Sequence, residues 1–286
     1  MQTGLPDLKT QSIADVQIQY LEYDGDGPTV VLLHATGFLP WLWHPIAGRL
    51  ARTHRVIAPF FCSHRMADPY QGGLDWLRLA EDLSRLCEAL DIESPLFVGH
   101  SMGGTVSTLA HVTCKVPAGK IVLIEPILLP EEFYRTPISV EQHPLAAKAI
   151  RRRNLWRDRQ EAQTDFRSKP FFQSWDAEVL SLYVTHGTCD ASGDGVRLTC
   201  SPEREAALFM GGVHHDPWPL LPDVACPTLV MEGETSENRH WIDLQRVTTL
   251  IPRARYTMVL GAGHLIPMEQ PETTAKLIEA FLGEPV

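Results

Sequence analysis

The chain has 286 residues, 44% of them hydrophobic and 21% charged, with a formal net charge of −10. It is long enough to bury a substantial apolar centre, and its composition lacks the bias of disordered, collagen-like or fibrous chains. The acidic balance excludes a nucleic-acid partner held by phosphate neutralisation, which needs a basic face.

At the N-terminus, Gly4, Pro6 and Asp7 stand where a secretory signal would need a basic start and an apolar run, so secretion is not expected. Short apolar, β-branched runs follow at 16–20, 29–33, 55–58, 96–99, 121–124, 228–231 and 256–260. Several read as strands buried on both faces, which points to a parallel sheet. None approaches the roughly 20 apolar residues of a membrane-spanning helix, so no transmembrane segment is expected.

Between the strands lie helical periods. Trp76, Leu79, Ala80, Leu83, Leu86, Cys87 and Leu90 fall on one face of a helix, with Glu81, Asp82, Arg85 and Glu88 on the other. Further helices are expected after Ser101, over about 241–250, and over 271–281, where Pro271 suits a first helical turn. This alternation is the α/β signature. It breaks over 127–222, a stretch of helical segments separated by Pro, Gly and Trp and without a strong strand. There Ser201-Pro202-Glu203 reads as an N-cap, a first-turn proline and a dipole-favoured acid. Residues 1–126 and 223–286 are therefore expected to form the core, and 127–222 a helical cap over the strand ends, where parallel sheets place their ligands. Six cysteines without a Cys-x-x-Cys pair fit reduced thiols and a cytoplasmic location better than a disulfide framework.

Gly99-His100-Ser101-Met102-Gly103 matches G-x-S-x-G between a strand and a helix-compatible run. A nucleophile on so tight a turn needs small residues two before and two after it, because strand and helix come close there. At these residues the sequence resembles the α/β-hydrolase superfamily, over the whole chain except the cap. The resemblance implies an α/β fold with a mostly parallel sheet flanked by helices and a helical cap insertion. It makes Ser101 the nucleophile and gives the Met102 N–H to an oxyanion hole, supported by the helix N-terminus.

His34-Ala35-Thr36-Gly37-Phe38 ends another strand, where relatives with a His-Gly-x-Gly loop supply the second oxyanion N–H; here that residue is Thr36. Ala35 replaces the first glycine, so its backbone must be one alanine can reach, and His34 is expected to be a structural hydrogen-bonding residue. Gly261-Ala262-Gly263-His264 resembles the family's histidine loop and makes His264 the general base. Its imidazole, with an ordinary pKa of about 6.5, can take the serine proton and return it.

The acid departs from the commoner pattern. In many relatives an Asp lies three residues after the glycine following strand 228–231, and here that position is Ser236. A second family arrangement takes the acid from the end of the preceding core strand, where Glu125 stands; Glu234 and Glu237 remain alternatives. Glu125 ends an apolar strand, and a buried carboxylate needs partners.

Other features carry less. The loop 58–64 replaces an Asp-x-x-Gly-containing loop of many relatives. Arg151, Arg152, Arg153, Arg157 and Arg159 read as a solvated helix face rather than a clamp for a substrate carboxylate. Adjacent His214-His215-Asp216 lacks metal-ligand spacing, so no metal is expected. Phe133, Tyr134, Trp156, Phe166, Phe171, Phe172, Trp175 and Trp218 give the cap aromatic surface, part of it cap core, with Phe172 and Trp218 expected to touch substrate. The sequence thus points to a serine hydrolase, carboxylesterase-like, that needs no cofactor and cleaves an ester of a small, largely apolar molecule. A lactone or carbon–carbon bond hydrolase with the same triad is the alternative, and a non-catalytic small-molecule receptor a second. Neither a nucleic acid nor a membrane is an expected partner, and oligomeric state is not encoded in any motif.

Overall fold

The computed structural model describes residues 4–285; residues 1–3 and 286, at the outer ends of the expected core segments, lie outside it. Its strands are β1 (Leu8–Ile13), β2 (Val16–Tyr23), β3 (Thr29–Leu33), β4 (Arg55–Pro59), β5 (Leu96–His100), β6 (Lys120–Ile124), β7 (Thr188–Asp190), β8 (Val196–Leu198), β9 (Thr228–Gly233) and β10 (Ala254–Val259). Eight of them form one sheet in the order β1-β2-β4-β3-β5-β6-β9-β10. β1 and β2 pair antiparallel, β2 runs antiparallel to β4, and every other neighbour is parallel. All residues of β5, β6 and β9 are buried, as strands covered by helices on both faces must be.

The helices are α1 (His44–Leu50), α2 (Trp76–Ala89), α3 (Met102–Val112), α4 (Glu131–Arg135), α5 (Pro144–Ile150), α6 (Arg159–Arg167), α7 (Ala177–His186), α8 (Pro202–Gly211), α9 (Leu244–Leu250), α10 (Ile266–Glu269) and α11 (Pro271–Leu282). On one sheet face α2 and α3 bury Leu79, Leu83, Leu86, Val106 and Leu109 against Val31, Phe97 and Leu123. On the other, α1 and α11 bury Ile46, Leu50, Ile278 and Phe281 against Val30, Val98 and Val122. Each such side chain contributes about 1.5–3 kcal/mol when fully buried. The predicted apolar face of α2 is buried from Trp76 to Cys87, with Leu90 half-buried just past the helix end. Asp82, expected on the polar face, is buried as well, where His64 and Arg65 bond its carboxylate. Asp75 caps the helix by accepting from the Leu77 N–H at 2.8 Å.

Between β6 and β9 the chain makes α4 to α8 and one short antiparallel pair, β7 with β8, which the sequence did not signal. The Ser201 hydroxyl caps α8 by accepting from the Arg204 N–H at 3.3 Å. This insert meets the sheet-bearing part through polar contacts as well as packing. Leu208 O accepts from the Trp76 indole N–H at 2.7 Å, Ala207 O from the Leu74 N–H at 2.8 Å, and Met268 O from the Asp176 N–H at 2.8 Å. Among the described residues no helix is long and apolar enough to cross a membrane.

Candidate active site

Ser101 sits between β5 and α3 with φ of 55°, a left-handed backbone that a non-glycine residue adopts only where its surroundings enforce it. The enforcement is visible. The Ser101 N–H donates to Ile124 O on β6 at 2.9 Å, and Ser101 O accepts from the Gly104 N–H at 3.0 Å. A Cβ on Gly99 would lie 2.3 Å from Gly103 O, and one on Gly103 would lie 2.2 Å from Leu33 O, so the two glycines are what lets strand and helix close to this distance.

The loop after β10 brings His264 to this turn. His100, the residue before Ser101, donates its Nε2–H to His264 O at 2.9 Å, and the two rings are 5.1 Å apart. His100 is fully buried, and burial pushes its pKa well below the ordinary value, which keeps it neutral.

Glu125 follows β6 directly, with φ of 47° and 1% exposure. Its Oε1 accepts from the Gly233 N–H at 2.7 Å, and its Oε2 accepts from the Ser236 hydroxyl at 2.7 Å. The same Oε2 lies 3.0 Å from His264 Nδ1. Three partners thus offset the cost of burying this carboxylate. Ser236, at the sequence position where many relatives carry the acid, instead donates to the carboxylate that follows the neighbouring strand. Glu234 instead accepts from the Gly261 N–H at 2.8 Å, and Glu237 is exposed. The Asn238 side-chain amide also reaches His264 Nδ1, at 2.9 Å. No motif marks Asn238, and His100 occupies the free position of G-x-S-x-G; sequence reasoning missed both contacts.

On the other side of Ser101 the loop after β3 is held by His34, which donates Nδ1–H to Ala35 O at 2.8 Å and accepts the Phe61 N–H on Nε2 at 3.0 Å. Burial lowers its pKa to about 4, so it stays neutral and keeps both bonds. The loop 58–64 is thereby fixed despite lacking the usual glycine, with His64 bonded to Asp82 at 2.9 Å at its end. Ala35 keeps a negative φ; the left-handed position is Gly37, with φ of 76°. Among the described residues the Thr36 and Met102 N–H groups have no hydrogen-bond acceptor, and both residues are buried, one after β3 and the other after the neighbouring β5. Unpaired, buried donors can receive a developing negative charge.

A sequence profile of the alpha/beta hydrolase family matches residues 30–277. The chain belongs to this family. Among curated relatives it is 24% identical to 2-(acetamidomethylene)succinate hydrolase of Mesorhizobium japonicum, over 90% of this chain and 89% of that one. The solved structure of E-2-(acetamidomethylene)succinate hydrolase superposes with a TM-score of 0.80 at 21% identity, covering 97% of this chain and 100% of the other. The enol-lactonase of Burkholderia xenovorans LB400 superposes with a TM-score of 0.72 at 20% identity, covering 96% and 100%. These likenesses at low identity show the alpha/beta hydrolase fold.

The remaining candidates are placed as follows. Phe172 is buried among Phe166, Phe171, Trp175 and Tyr183, of which the last three also meet Phe38 in the loop after β3. Trp218 is half-buried, donates its indole N–H to Leu129 O at 2.7 Å and lies 4.9 Å from the Arg246 guanidinium. The five arginines expected on one solvated helix face do not share a helix, since only Arg159 lies in one. Arg151 is exposed, and the other four are paired: Arg152 with Glu205 at 2.6 Å, Arg153 with Glu161 at 2.5 Å, Arg157 with Asp158 at 3.1 Å and Arg159 with Asp190 at 3.4 Å. Glu205 packs on the loop after β3, where a Cβ on Gly37 would come within 2.6 Å of its Oε1. His214 bonds Gly72 O at 2.8 Å and His215 bonds Asp75 at 2.9 Å, two separate contacts that join the insert to the start of α2.

Proposed function

We propose that this protein is a serine hydrolase that cleaves an ester bond of a small, largely apolar substrate through an acyl-enzyme on Ser101. The observation that carries the reading is the buried Glu125 carboxylate 3.0 Å from Nδ1 of a histidine whose loop is tied to the serine turn through His100. In this reading Glu125 keeps the hydrogen on Nδ1, which leaves Nε2 free to take the Ser101 proton as the oxygen attacks the carbonyl. The oxyanion then accepts from the Thr36 and Met102 N–H groups. His264 returns the proton to the leaving alcohol, and a water activated by the same nitrogen hydrolyses the acyl-enzyme. This sequence of steps needs no cofactor.

Residues 127–222 act as a cap over the core formed by 1–126 and 223–286, and they select the substrate. Phe38, with Phe171, Trp175 and Tyr183 behind it, gives the oxyanion side an apolar wall. Phe172 acts through that packing, and Trp218 shapes the chain leaving β6. The substrate of the succinate hydrolase relative does not transfer readily. Arg152, the guanidinium joined to the oxyanion loop through Glu205, is bound to that carboxylate and to the Tyr183 hydroxyl rather than left for a substrate acid. Six free thiols fit a cytoplasmic location.

A second reading, hydrolysis of a lactone or a carbon–carbon bond with the same residues, is favoured by the likeness to an enol-lactonase. Steady-state assays on p-nitrophenyl esters of graded acyl length, lactones and a vinylogous diketone separate the two. The ester reading predicts the highest kcat/KM on an ester; a preference for a lactone or the diketone overturns it. Binding without turnover of any of them would make the protein a receptor.

A further inference from the structure

We propose that Asn238 is a positioning residue for His264, presenting its amide oxygen to the same Nδ1–H that Glu125 accepts. The inference rests on the serine-hydrolase reading and names a fourth member of its hydrogen-bond chain. As placed, Nδ2 of the Asn238 amide lies 2.9 Å from Nδ1, and Glu125 Oε2 lies 3.0 Å from the same atom. A ring nitrogen carries either one hydrogen or one lone pair. A bare Nδ1 would set its lone pair against a carboxylate that is 1% exposed, so Nδ1 carries the hydrogen. An amide NH₂ facing that hydrogen would oppose donor to donor. A half-turn of the Asn238 amide exchanges Oδ1 and Nδ2 without changing its shape and gives Nδ1–H a second acceptor.

Asn238 is built to hold this place. Its N–H donates to Ser236 Oγ at 3.3 Å, and its carbonyl accepts from the Trp241 and Ile242 N–H groups, each at 2.8 Å. Ser236 Oγ in turn donates to Glu125 Oε2, so a single hydroxyl links the two residues that flank the ring nitrogen. One acceptor fixes a direction along the N–H; two acceptors at different angles also fix the ring plane. They favour the Nδ1–H tautomer and the imidazolium formed when Ser101 gives up its proton.

The other groups around His264 stay constant when Asn238 is changed. They are the Glu125 carboxylate after β6, the neutral His100 ring 5.1 Å away at the end of β5, and Glu269 of α10, which accepts from the Gly263 N–H at 2.6 Å. Glu234 after β9 accepts from the Gly261 N–H, and exposed Glu237 adjoins Asn238.

The test follows the His264 ring by NMR through its titration in the wild-type protein, Asn238→Leu and Asn238→Asp, with Asn238→Ala as the smaller variant should Leu unsettle the loop. Losing a neutral acceptor should lower the midpoint by about 0.5 to 1 pH unit, and a second carboxylate should raise it by about 1 unit or more. The acid limb of kcat/KM should move with it. A midpoint that rises in Asn238→Leu would mean that the amide donates, and one that stays still would mean that it does not touch the proton; either overturns the proposal. Fluorophosphonate labelling of the same samples keeps the two levels apart. Labelling of Ser101 with an unmoved titration refutes the role of Asn238 alone, whereas absence of labelling in the wild-type protein refutes the serine-hydrolase reading and the proposal with it.

Discussion

Replacing Glu125 by glutamine keeps the shape of the side chain and removes its charge, and the surrounding donors decide how the amide settles. Oε1 accepts from the Gly233 backbone N–H at 2.7 Å, while Oε2 faces the Ser236 hydroxyl at 2.7 Å and His264 Nδ1 at 3.0 Å. A backbone N–H cannot turn away from an NH₂ group, but the Ser236 hydroxyl can rotate and accept from it. The glutamine therefore aims its NH₂ at Ser236 and His264. His264 Nδ1 must then become the acceptor, its hydrogen moves to Nε2, and the nitrogen that should take the serine proton is already occupied. Converting a triad acid to its amide can cost about 10⁴-fold in kcat, roughly 5 kcal/mol of barrier. The assay is steady-state hydrolysis of the preferred p-nitrophenyl ester by Glu125→Gln, with a thermal melt to show that the fold is kept. Glu234→Gln and Glu237→Gln serve as controls and should stay within about threefold of wild type, under about 1 kcal/mol. A folded Glu125→Gln that keeps more than about a tenth of the wild-type rate, or a collapse of the rate in either control, would refute the assignment.

Two further outcomes follow from the same geometry. Ser236 Oγ is 2.7 Å from Glu125 Oε2, so the acid should be movable between the two strand ends. Glu125→Gly, a residue at ease with the φ of 47° there, should be nearly inactive, and adding Ser236→Asp should recover at least about tenfold in kcat; a folded double variant without recovery counts against it. Acid stability should depend on His34, whose pKa falls from 6.5 to about 4 on burial. The unfolded chain binds the extra proton between these values, so stability is full above pH 6.5 and is lost as pH falls towards 4. By pH 5 about 2 kcal/mol of it has been lost. Urea unfolding at pH 7 and pH 5 should show a smaller loss for His34→Asn than for wild type; equal losses would contradict the neutral, doubly bonded ring.

The central sheet was legible because β3, β5, β6 and β9 are short aliphatic runs with no polar face, which few structures other than a buried parallel sheet accommodate. β1 was not, because Leu8–Ile13 is a half-exposed edge strand whose Lys, Thr, Gln and Ser carry no hydrophobic period. β7 and β8 are three residues each, too short for any pattern. The helix expected from about Trp241 begins only at Leu244, since Asp243 caps it by accepting from the Arg246 N–H at 2.8 Å, and Trp241 is left exposed. The strand expected to reach Leu260 ends at Val259, and Leu260 is likewise exposed. At the site, Ser101 and His264 stood out because close approach demands glycines at fixed spacing around them. Glu125 was reached through an absence, the serine at 236, which required a carboxylate from elsewhere. Asn238 had no such signal: its contact arises from how the loops after β9 and β10 fold against each other, and neither loop's composition encodes that approach.

The most direct test of the central claim is covalent. Incubation with a fluorophosphonate, followed by mass spectrometry of the intact protein and its peptides, should give a single adduct on Ser101, and Ser101→Ala should be unlabelled, folded and without turnover. An adduct on another residue, or Ser101→Ala activity within about tenfold of wild type, would contradict the serine mechanism.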